Sequence, residues 1–284
     1  MIRKANLIYF TVGGHPDYID LLQFCLDTLH ENCDMTNAFI MVMCDEKYLP
    51  YVNKLKEANQ IDDIMVTADN KDHIETSMKK VRIFEYSRIW EFEKVLFLDC
   101  DIIILKDIIA NLMPHIEDEE KLYVFTESPI HTMLFHSFLD YTDEQLEFFK
   151  DNNIEAFNCG QFAFRVTEPI YYLFSKVCDI MNERKVNYFY EQSHMNYIFN
   201  LANATIPLLN DYFELVNIIN SNKSNHTAIH FAYGNLPFTF KLEKMKLAYK
   251  NRETLNIRDY TFPKNHTPVN KLVNRFRLNR FLKL

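Results

Sequence analysis

Two aspartates, Asp99 and Asp101, stand two residues apart in the otherwise apolar segment 95–105, VLFLDCDIIIL. An unpaired buried carboxylate is costly, so such groups pair with a cation, take up a proton or bind a metal. The segment is too short to cross a membrane and is rich in β-branched residues, which predicts a buried strand over Val95–Leu98 that ends at Asp99. Active sites of open α/β sheets lie where strands end, and two carboxylates there could hold a divalent cation that carries a diphosphate. The alternative is an ordinary cap or turn carboxylate.

The elements that must position these aspartates alternate between strand and helix through roughly the first 110 residues. This alternation predicts an α/β fold with a mostly parallel sheet covered on both faces. The predicted strands are Ala5–Thr11, Ala38–Met43, Asp63–Val66 and Lys94–Leu98, and the predicted helices are Tyr18–Leu29, Leu49–Ala58 and Ser77–Ile89.

The second half of the chain is less regular, and residues 128–155 have the composition of a helical insertion. The predicted strands here are Lys121–Thr126, Phe157–Arg165 and Thr227–Phe231, and the predicted helices are Glu168–Lys185 and Glu191–Asn200. We predict one domain over residues 1–245 and a basic C-terminal extension over 246–284. Residues 268–284 predict an amphipathic helix that either lies on anionic membrane or docks against the acidic body of the protein.

Composition narrows the classes of function. With only four Gly and no Gly-rich phosphate-binding motif, any phosphate must be held by a metal or by side chains. The net charge of −8 argues against a nucleic-acid partner. The six Cys form no C-x-x-C pair and no zinc spacing, and no signal peptide or membrane-spanning run is visible. We therefore expect a cytoplasmic protein with reduced thiols.

Four further segments accompany the Asp-x-Asp segment, and in this order they resemble one family. They are Phe10-Thr11 with Tyr18, Phe157-Asn158-Cys159-Gly160, Glu191-Gln192-x-x-x-Asn196, and Ile229-His230-Phe231. Together with Lys94–Asp101 they resemble the retaining glycosyltransferases of family 8, which include glycogenin and bacterial lipopolysaccharide galactosyltransferases. The resemblance covers about residues 5–240. It implies a GT-A fold, which is a Rossmann-like α/β domain with a mixed, mostly parallel sheet flanked by helices.

The resemblance implies a metal site at Asp99, Asp101 and His230. The expected ion is Mn²⁺, with Mg²⁺ as the alternative, because imidazole suits manganese better than the harder alkaline-earth ions. Without the resemblance, His230 would be interpreted as a core histidine.

The resemblance also implies a binding site for the sugar donor. The backbone of Phe10–Val12 would meet uracil, and the ring of Tyr18 would stack on it. Arg82 lies 17 residues before Asp99, where such enzymes place a basic residue near the donor, and Lys79 and Lys80 are its rivals. The full set predicted for donor binding is Phe10, Thr11, Val12, Tyr18, Arg82, Cys100 and Glu127.

Three residues are predicted to act on the transferred sugar. Asn158 would lie at the sugar itself. Gln192 would lie near the anomeric carbon, on the face opposite the leaving diphosphate, and Glu191 takes the place of an Asp in the family pattern.

The chain departs from the family pattern after His230. Tyr233 and Leu236 stand where the family has a Gly and a Lys, although Pro237 and Phe238 fit the pattern. Because that Lys contacts the donor diphosphate in the family, its loss weakens the charge stabilisation expected for the leaving group. Lys241 or Lys244 could replace it from the next turn.

We therefore expect a retaining glycosyltransferase that moves a hexose, with UDP-glucose the favoured donor, to a glycan, lipid-linked or protein acceptor. Peripheral membrane contact through 268–284 would suit a lipid-linked acceptor. The first alternative is a non-catalytic or weakly active UDP-sugar-binding protein. A nucleotidyltransferase and a phosphatase of the Asp-x-Asp type fit less well, because Gly13-Gly14-His15-Pro16 is a poor nucleotide loop and Ile102-Ile103 is an unusual sequel to a phosphatase motif.

Overall fold

The computed structural model describes residues 4–69, 73–129, 142–183, 190–216, 226–232, 237–255 and 260. The strands are β1 Lys4–Val12, β2 Ala38–Asp45, β3 Asp63–Thr67, β4 Phe92–Leu98, β5 Ile102–Ile104, β6 Leu122–Pro129, β7 Glu155–Arg165, β8 Thr205–Ile206, β9 Phe213–Leu215 and β10 Ala228–His230. The helices are α1 Tyr18–Asn32, α2 Leu49–Glu57, α3 His73–Val81, α4 Ile108–Leu112, α5 Asp143–Asp151, α6 Glu168–Glu183, α7 Tyr190–Leu201 and α8 Phe238–Lys250.

A seven-stranded sheet forms the centre of the domain, in the order β3-β2-β1-β4-β7-β6-β8. The strands from β3 to β4 run parallel, whereas β7 is antiparallel to both β4 and β6. This mixed, mostly parallel sheet with helices on both faces confirms the predicted α/β fold of the GT-A, Rossmann-like type.

Side chains of the central strands alternate between two apolar cores. On β1, Ile8 and Phe10 lie in one core, which α1 and α8 cover. Leu7 and Tyr9 lie in the other, which α3 and α6 cover. Near-continuous burial on both faces explains why these strands are apolar runs rather than alternating ones.

A second, three-stranded sheet has the order β5-β10-β9 and was not predicted. Strand β5 follows Asp101 directly, and it is antiparallel to β10 with Ile102 opposite His230. Its other side is fixed to α1, because the backbone N–H of Ile104 donates to the hydroxyl of Thr28 at 3.0 Å. Because the apolar run continues on both sides of Asp99 and Asp101, the sequence did not indicate where the chain passes from the main sheet to the second sheet.

Two further differences concern helices. The helix predicted over Ser77–Ile89 is observed as His73–Val81, followed by short 3₁₀ turns at Ile83–Glu85 and Ile89–Glu91. Helix α8 was not predicted, and the domain boundary placed after residue 245 falls inside it. Met245, Ala248 and Tyr249, which lie on both sides of this boundary, are all buried.

Some predicted features lie outside the described residues. They are the amphipathic helix over 268–284, the family departures at Tyr233 and Leu236, and residues 130–141 of the segment 128–155. Within the described ranges, no helix is both long enough and apolar enough to cross a membrane.

Candidate active site

The carboxylates of Asp99 and Asp101 and the imidazole of His230 converge at the edge of the main sheet. One ligand atom from each lies within 4.8 Å of the other two. Asp99 extends the pairing of β4 with β7, because its N–H donates to the carbonyl of Gly160 at 2.7 Å. His230 is placed beside Asp101 by the second sheet, where the N–H of Phe231 donates to the Asp101 carbonyl at 2.9 Å. The predicted ligand set is therefore brought together by two different sheets.

Gly160 provides the space in which these groups meet. A Cβ atom at this position would overlap Cε1 of His230 and would lie 2.9 Å from an oxygen of Asp99 and 2.8 Å from Oδ1 of Asn158. Real Cβ atoms do not approach neighbours this closely, so residue 160 must lack a side chain if the cluster is to form. The sequence placed Gly160 beside Asn158 but did not indicate this steric role.

Asp101 is held by two basic groups. Its Oδ1 lies 3.1 Å from Nε2 of His230, and its Oδ2 lies 2.6 Å from Nζ of Lys241. Burial alone would raise the pKa of Asp101, but the charges and hydrogen bonds of Lys241 and His230 outweigh it and hold the pKa well below its usual range. Asp101 is therefore ionised at neutral pH, as a metal ligand must be.

Asp99 is held by Lys80, whose ammonium lies 3.0 Å from Oδ1 and 3.1 Å from Oδ2. The same ammonium lies 2.8 Å from the carboxylate of Glu191. Burial lowers the pKa of Lys80, but Asp99 and Glu191 outweigh it and raise the pKa well above its ordinary value. For Asp99, burial raises the pKa, the Lys80 charge lowers it, and the Asp101 charge raises it again, with a net increase. Lys80 thus joins a predicted metal ligand to a predicted catalytic residue.

Glu127, Asn158 and Gln192 form a second group next to the cluster of Asp99, Asp101 and His230. Nδ2 of Asn158 donates to Oε1 of Glu127 at 2.6 Å, and Oδ1 of Asn158 accepts from the N–H of Gly160 at 2.7 Å. Gln192 also hydrogen-bonds to Glu127, whose pKa is raised because it is buried. Glu127, which the sequence predicted for donor binding, thus lies beside the two residues predicted to act on the sugar.

Irregular pairing between β6 and β7 turns these side chains toward the cluster. The register shifts between Val124 and Phe125 and again between Thr126 and Ser128, so Glu127 falls at a break in the ladder. Such β-bulges commonly redirect side chains beside active sites.

Asn196 fixes helix α7 to strand β7. Its amide accepts from the N–H of Phe157 and donates to the carbonyl of Phe157, both at 2.8 Å. Nδ2 of Asn196 also donates to the carbonyl of Gln192 at 2.8 Å. This fully buried amide therefore positions the turn of α7 that carries Glu191 and Gln192.

The predicted uracil site lies where β1 and β4 separate. The pairing of β1 with β4 ends at Tyr9 opposite Phe97, whereas its pairing with β2 continues to Val12 opposite Cys44. The β4-facing edge of residues 10–12 is therefore unpaired on the side where β4 leads to Asp99 and Asp101, and the thiol of Cys100 contacts the Thr11 carbonyl at 3.5 Å. The side chains of Phe10 and Val12 are buried in the core, so only their backbone could meet a nucleobase.

Tyr18 stands next to this opening and contacts Phe238, with ring centroids 4.7 Å apart in an edge-to-face arrangement. His15 stacks on the same Phe238 ring at 4.8 Å. Burial, with Asp101 and Asp99 nearby, raises the pKa of Tyr18, so its hydroxyl stays neutral. Tyr18 is thus on the expected side of the cluster, and α8 supplies an aromatic neighbour that the sequence did not reveal.

The structure does not bring Arg82 into the cluster. Its guanidinium is partly exposed and pairs with Glu85 at 3.5 Å. Lys79 also points elsewhere, to Asp45 at 2.6 Å. The basic residue that reaches the aspartates from this segment is Lys80, because Arg82 follows the end of α3 at Val81 and lies beyond the helical face that meets the sheet.

The residues present fit a divalent transition metal. Two carboxylates and one imidazole form the mixed oxygen and nitrogen donor set that suits Mn²⁺, and Gly160 keeps the space between them free of a side chain. The lysines that face Asp99 and Asp101 show that the cluster attracts positive charge.

No protein-family model matches the chain. No curated protein matches it either. The chain is similar in structure to a glycosyltransferase involved in the glycosylation of the major capsid of PBCV-1, with 10% identity, a TM-score of 0.49 and coverage of 86% of this chain and 99% of that one. A likeness this distant says nothing about the activity of the chain.

Proposed function

We propose that the protein is a retaining glycosyltransferase that moves a hexose, with glucose favoured, from a UDP-sugar to a hydroxyl acceptor. The acceptor would be a glycan, a lipid-linked molecule or a protein. The observation that carries this proposal is the convergence of Asp99, Asp101 and His230, which are distant in sequence, at one sheet edge. The opening beside residues 10–12 lies at the same edge and supports a nucleotide there.

In this proposal Asp99, Asp101 and His230 hold Mn²⁺, with Mg²⁺ as the alternative. The bound ion would supply Lewis-acid stabilisation of negative charge on the diphosphate. His230 would hold the ion through Nε2, and Asp101 suits a metal ligand because its pKa is held low.

The remaining residues would orient the sugar. Glu127 holds the amide of Asn158, so that Asn158 can meet a sugar hydroxyl in a fixed orientation. Gln192 would face the anomeric carbon from the side opposite the leaving diphosphate. Glu191 is paired with Lys80, so its charge is partly offset before substrate binds. The acceptor would attack from the side of the departing UDP, whose oxygen takes the proton, and the anomeric configuration would be retained.

A panel of UDP-glucose, UDP-galactose and UDP-N-acetylglucosamine, each with and without Mn²⁺, tests the proposal by thermal shift. A ligand that binds only the folded state raises the apparent stability by an amount set by its concentration relative to Kd. We expect a shift with UDP-sugars that requires Mn²⁺. No shift with any member of the panel would contradict the proposed function.

Asp101→Asn tests the site itself. We expect this variant to lose Mn²⁺-dependent release of UDP from UDP-glucose, since a neutral amide oxygen is a weaker ligand than a carboxylate and offsets none of the charge of the ion. Asp20→Asn, at an exposed position on α1, is the matched control and should keep full activity. Full activity of Asp101→Asn would refute the metal site.

The same assays test the alternative of a UDP-sugar-binding protein without transferase activity. That alternative gains weight from the ion pairs of Lys80 and Lys241, which already neutralise both aspartates. Binding of UDP-sugars with Mn²⁺ but without release of UDP or transfer of hexose would favour it.

A further inference from the structure

Each aspartate of the cluster is neutralised by a lysine of its own. Lys80 contacts both oxygens of Asp99, and Lys241 contacts Oδ2 of Asp101, whose Oδ1 faces His230. All four carboxylate oxygens therefore have basic partners. Lys241 is buried, and Lys80 keeps only 15% of its side chain exposed. Two ammonium groups thus supply the two positive charges that a divalent cation would bring.

A divalent cation and these ammonium groups compete for the same oxygens. Like charges a few ångströms apart repel much more strongly in a partly buried site than in water. The cation can therefore enter only if at least one ammonium moves away, and that ammonium must find another anion because a buried unpaired charge is costly. A diphosphate next to the metal is such an anion.

The two lysines differ in the anion that each could pair with after it leaves its aspartate. Lys80 has a second carboxylate, Glu191, at 2.8 Å, so it stays paired within the protein if it leaves Asp99. Lys241 stands in the first turn of α8, three residues after Phe238, which packs on Tyr18 at the predicted donor site. Its flexible stem can reach from Asp101 to a ligand at the same edge of the sheet.

We infer that Lys241 is a displaceable counter-ion that leaves Asp101 when the metal binds and then pairs with the diphosphate of the ligand. This inference rests on the proposed function and adds to it a coupling between the two ligands. Binding of Mn²⁺ alone is opposed by Lys241, whereas binding of Mn²⁺ with a nucleoside diphosphate is assisted by it. By thermodynamic linkage each ligand raises the affinity for the other by the same factor.

Lys241→Met removes the ammonium and keeps much of the side-chain volume. The matched control is Lys246→Met on the same helix, because Lys246 is exposed and its ammonium lies over the ring of Phe24 rather than at the aspartates. Mn²⁺ affinity is measured by electron paramagnetic resonance of the free ion, with and without UDP, and UDP affinity is measured by calorimetry at saturating Mn²⁺.

We expect Lys241→Met to bind Mn²⁺ alone about tenfold more tightly than the wild type, and to bind UDP at saturating Mn²⁺ about tenfold more weakly, within the usual range of coupling energies. Lys246→Met should change either value by less than about twofold, as expected for a site with no shared partner. Opposite signs for the two affinities distinguish a displaceable counter-ion from a merely structural lysine, whose loss would weaken both.

Unchanged or weaker Mn²⁺ binding by folded Lys241→Met would overturn the inference. The proposed function would still stand in that case if the wild type binds Mn²⁺ together with UDP. Failure of the wild type to bind Mn²⁺ even with UDP would overturn both. Circular dichroism verifies folding, and Lys241→Gln is measured in parallel. If neither variant folds, the inference is tested on the wild type alone. Equal Mn²⁺ affinity of the wild type with and without UDP would contradict it.

Discussion

Gly160 is the single residue on which the geometry of the cluster depends most directly. In Gly160→Ala the new methyl group would overlap His230 and crowd Asp99. We expect a loss of about 1–3 kcal/mol in the free energy of unfolding, typical of overpacking. We also expect Mn²⁺-dependent UDP binding to fall at least tenfold, or about 1.4 kcal/mol.

Ala163→Gly is the matched control for this experiment. Ala163 is buried on the same strand, opposite Leu96, and lies away from the three ligands. Its substitution should cost about 0.5–1 kcal/mol through backbone entropy and leave UDP binding unchanged. Calorimetric titration together with denaturant unfolding separates the two effects. Normal UDP binding by Gly160→Ala would show that the cluster tolerates displacement of His230.

Among secondary-structure elements, helix α7 matters because it carries Glu191 and Gln192 to the site. Asn196→Ala removes both hydrogen bonds to Phe157 and leaves a buried N–H and a buried carbonyl without partners. Each such group costs about 1–3 kcal/mol, so we expect a loss of about 2–4 kcal/mol on chemical denaturation. The maximal rate of UDP release should fall as well, because the turn that carries Gln192 is no longer fixed.

Asn152→Ala provides the comparison for Asn196. Asn152 is exposed, and its amide donates to the carbonyl of Phe148 at 2.8 Å. Its loss should be worth less than about 1 kcal/mol and should not change the rate. Equal effects of the two substitutions would mean that Asn196 has no special role in holding the helix.

The sequence was most informative where a pattern is local. The apolar runs and the Asp-x-Asp segment predicted the strands β1 to β4 and the residues at the end of β4, because burial on two faces demands such runs. It was least informative where long-range packing decides. Strand β5 is only three residues long, and nothing local marks α8, whose buried positions are Lys241, Met245, Ala248 and Tyr249.

The same limit applies to the site. Asp99, Asp101 and His230 could be named from the resemblance of the ordered segments to one family, although the distances between them could not be predicted. The choice between Arg82 and Lys80 depends on where α3 ends, and helix ends are poorly specified by sequence. The pairing of Lys241 with Asp101 joins positions far apart in sequence, and only the tertiary fold reveals it.

At the scale of the whole molecule, helix α8 packs against the elements next to the site. Asn32 at the end of α1 donates to the hydroxyl of Tyr249 at 2.6 Å and to the carbonyl of Ile104 at 3.1 Å, so α1, β5 and α8 meet at one amide. Strand β5 continues directly from Asp101, and α8 carries Lys241. The position of the Asp99, Asp101 and His230 cluster is therefore coupled to the docking of this helix.

A chain that ends at residue 245 tests this coupling. It would lack Ala248 and Tyr249, which are buried against α1, and it would lose the Asn32 hydrogen bond. We expect a decrease of about 2–4 kcal/mol in the free energy of unfolding, as for the loss of a buried aromatic residue and its partner. The binding of UDP with Mn²⁺ should weaken too, because Lys241 then lies near a frayed helix end.

Tyr249→Phe in the full chain separates the hydrogen bond from the packing. This variant keeps the ring against α1 and loses only the hydroxyl, so it should cost about 1 kcal/mol and leave the binding of UDP with Mn²⁺ unchanged. Chemical denaturation and calorimetry on the two proteins give the comparison. If the chain ending at 245 were as stable as the full chain and bound UDP as tightly, the last turns of α8 would be dispensable and the domain would end where the sequence had placed it.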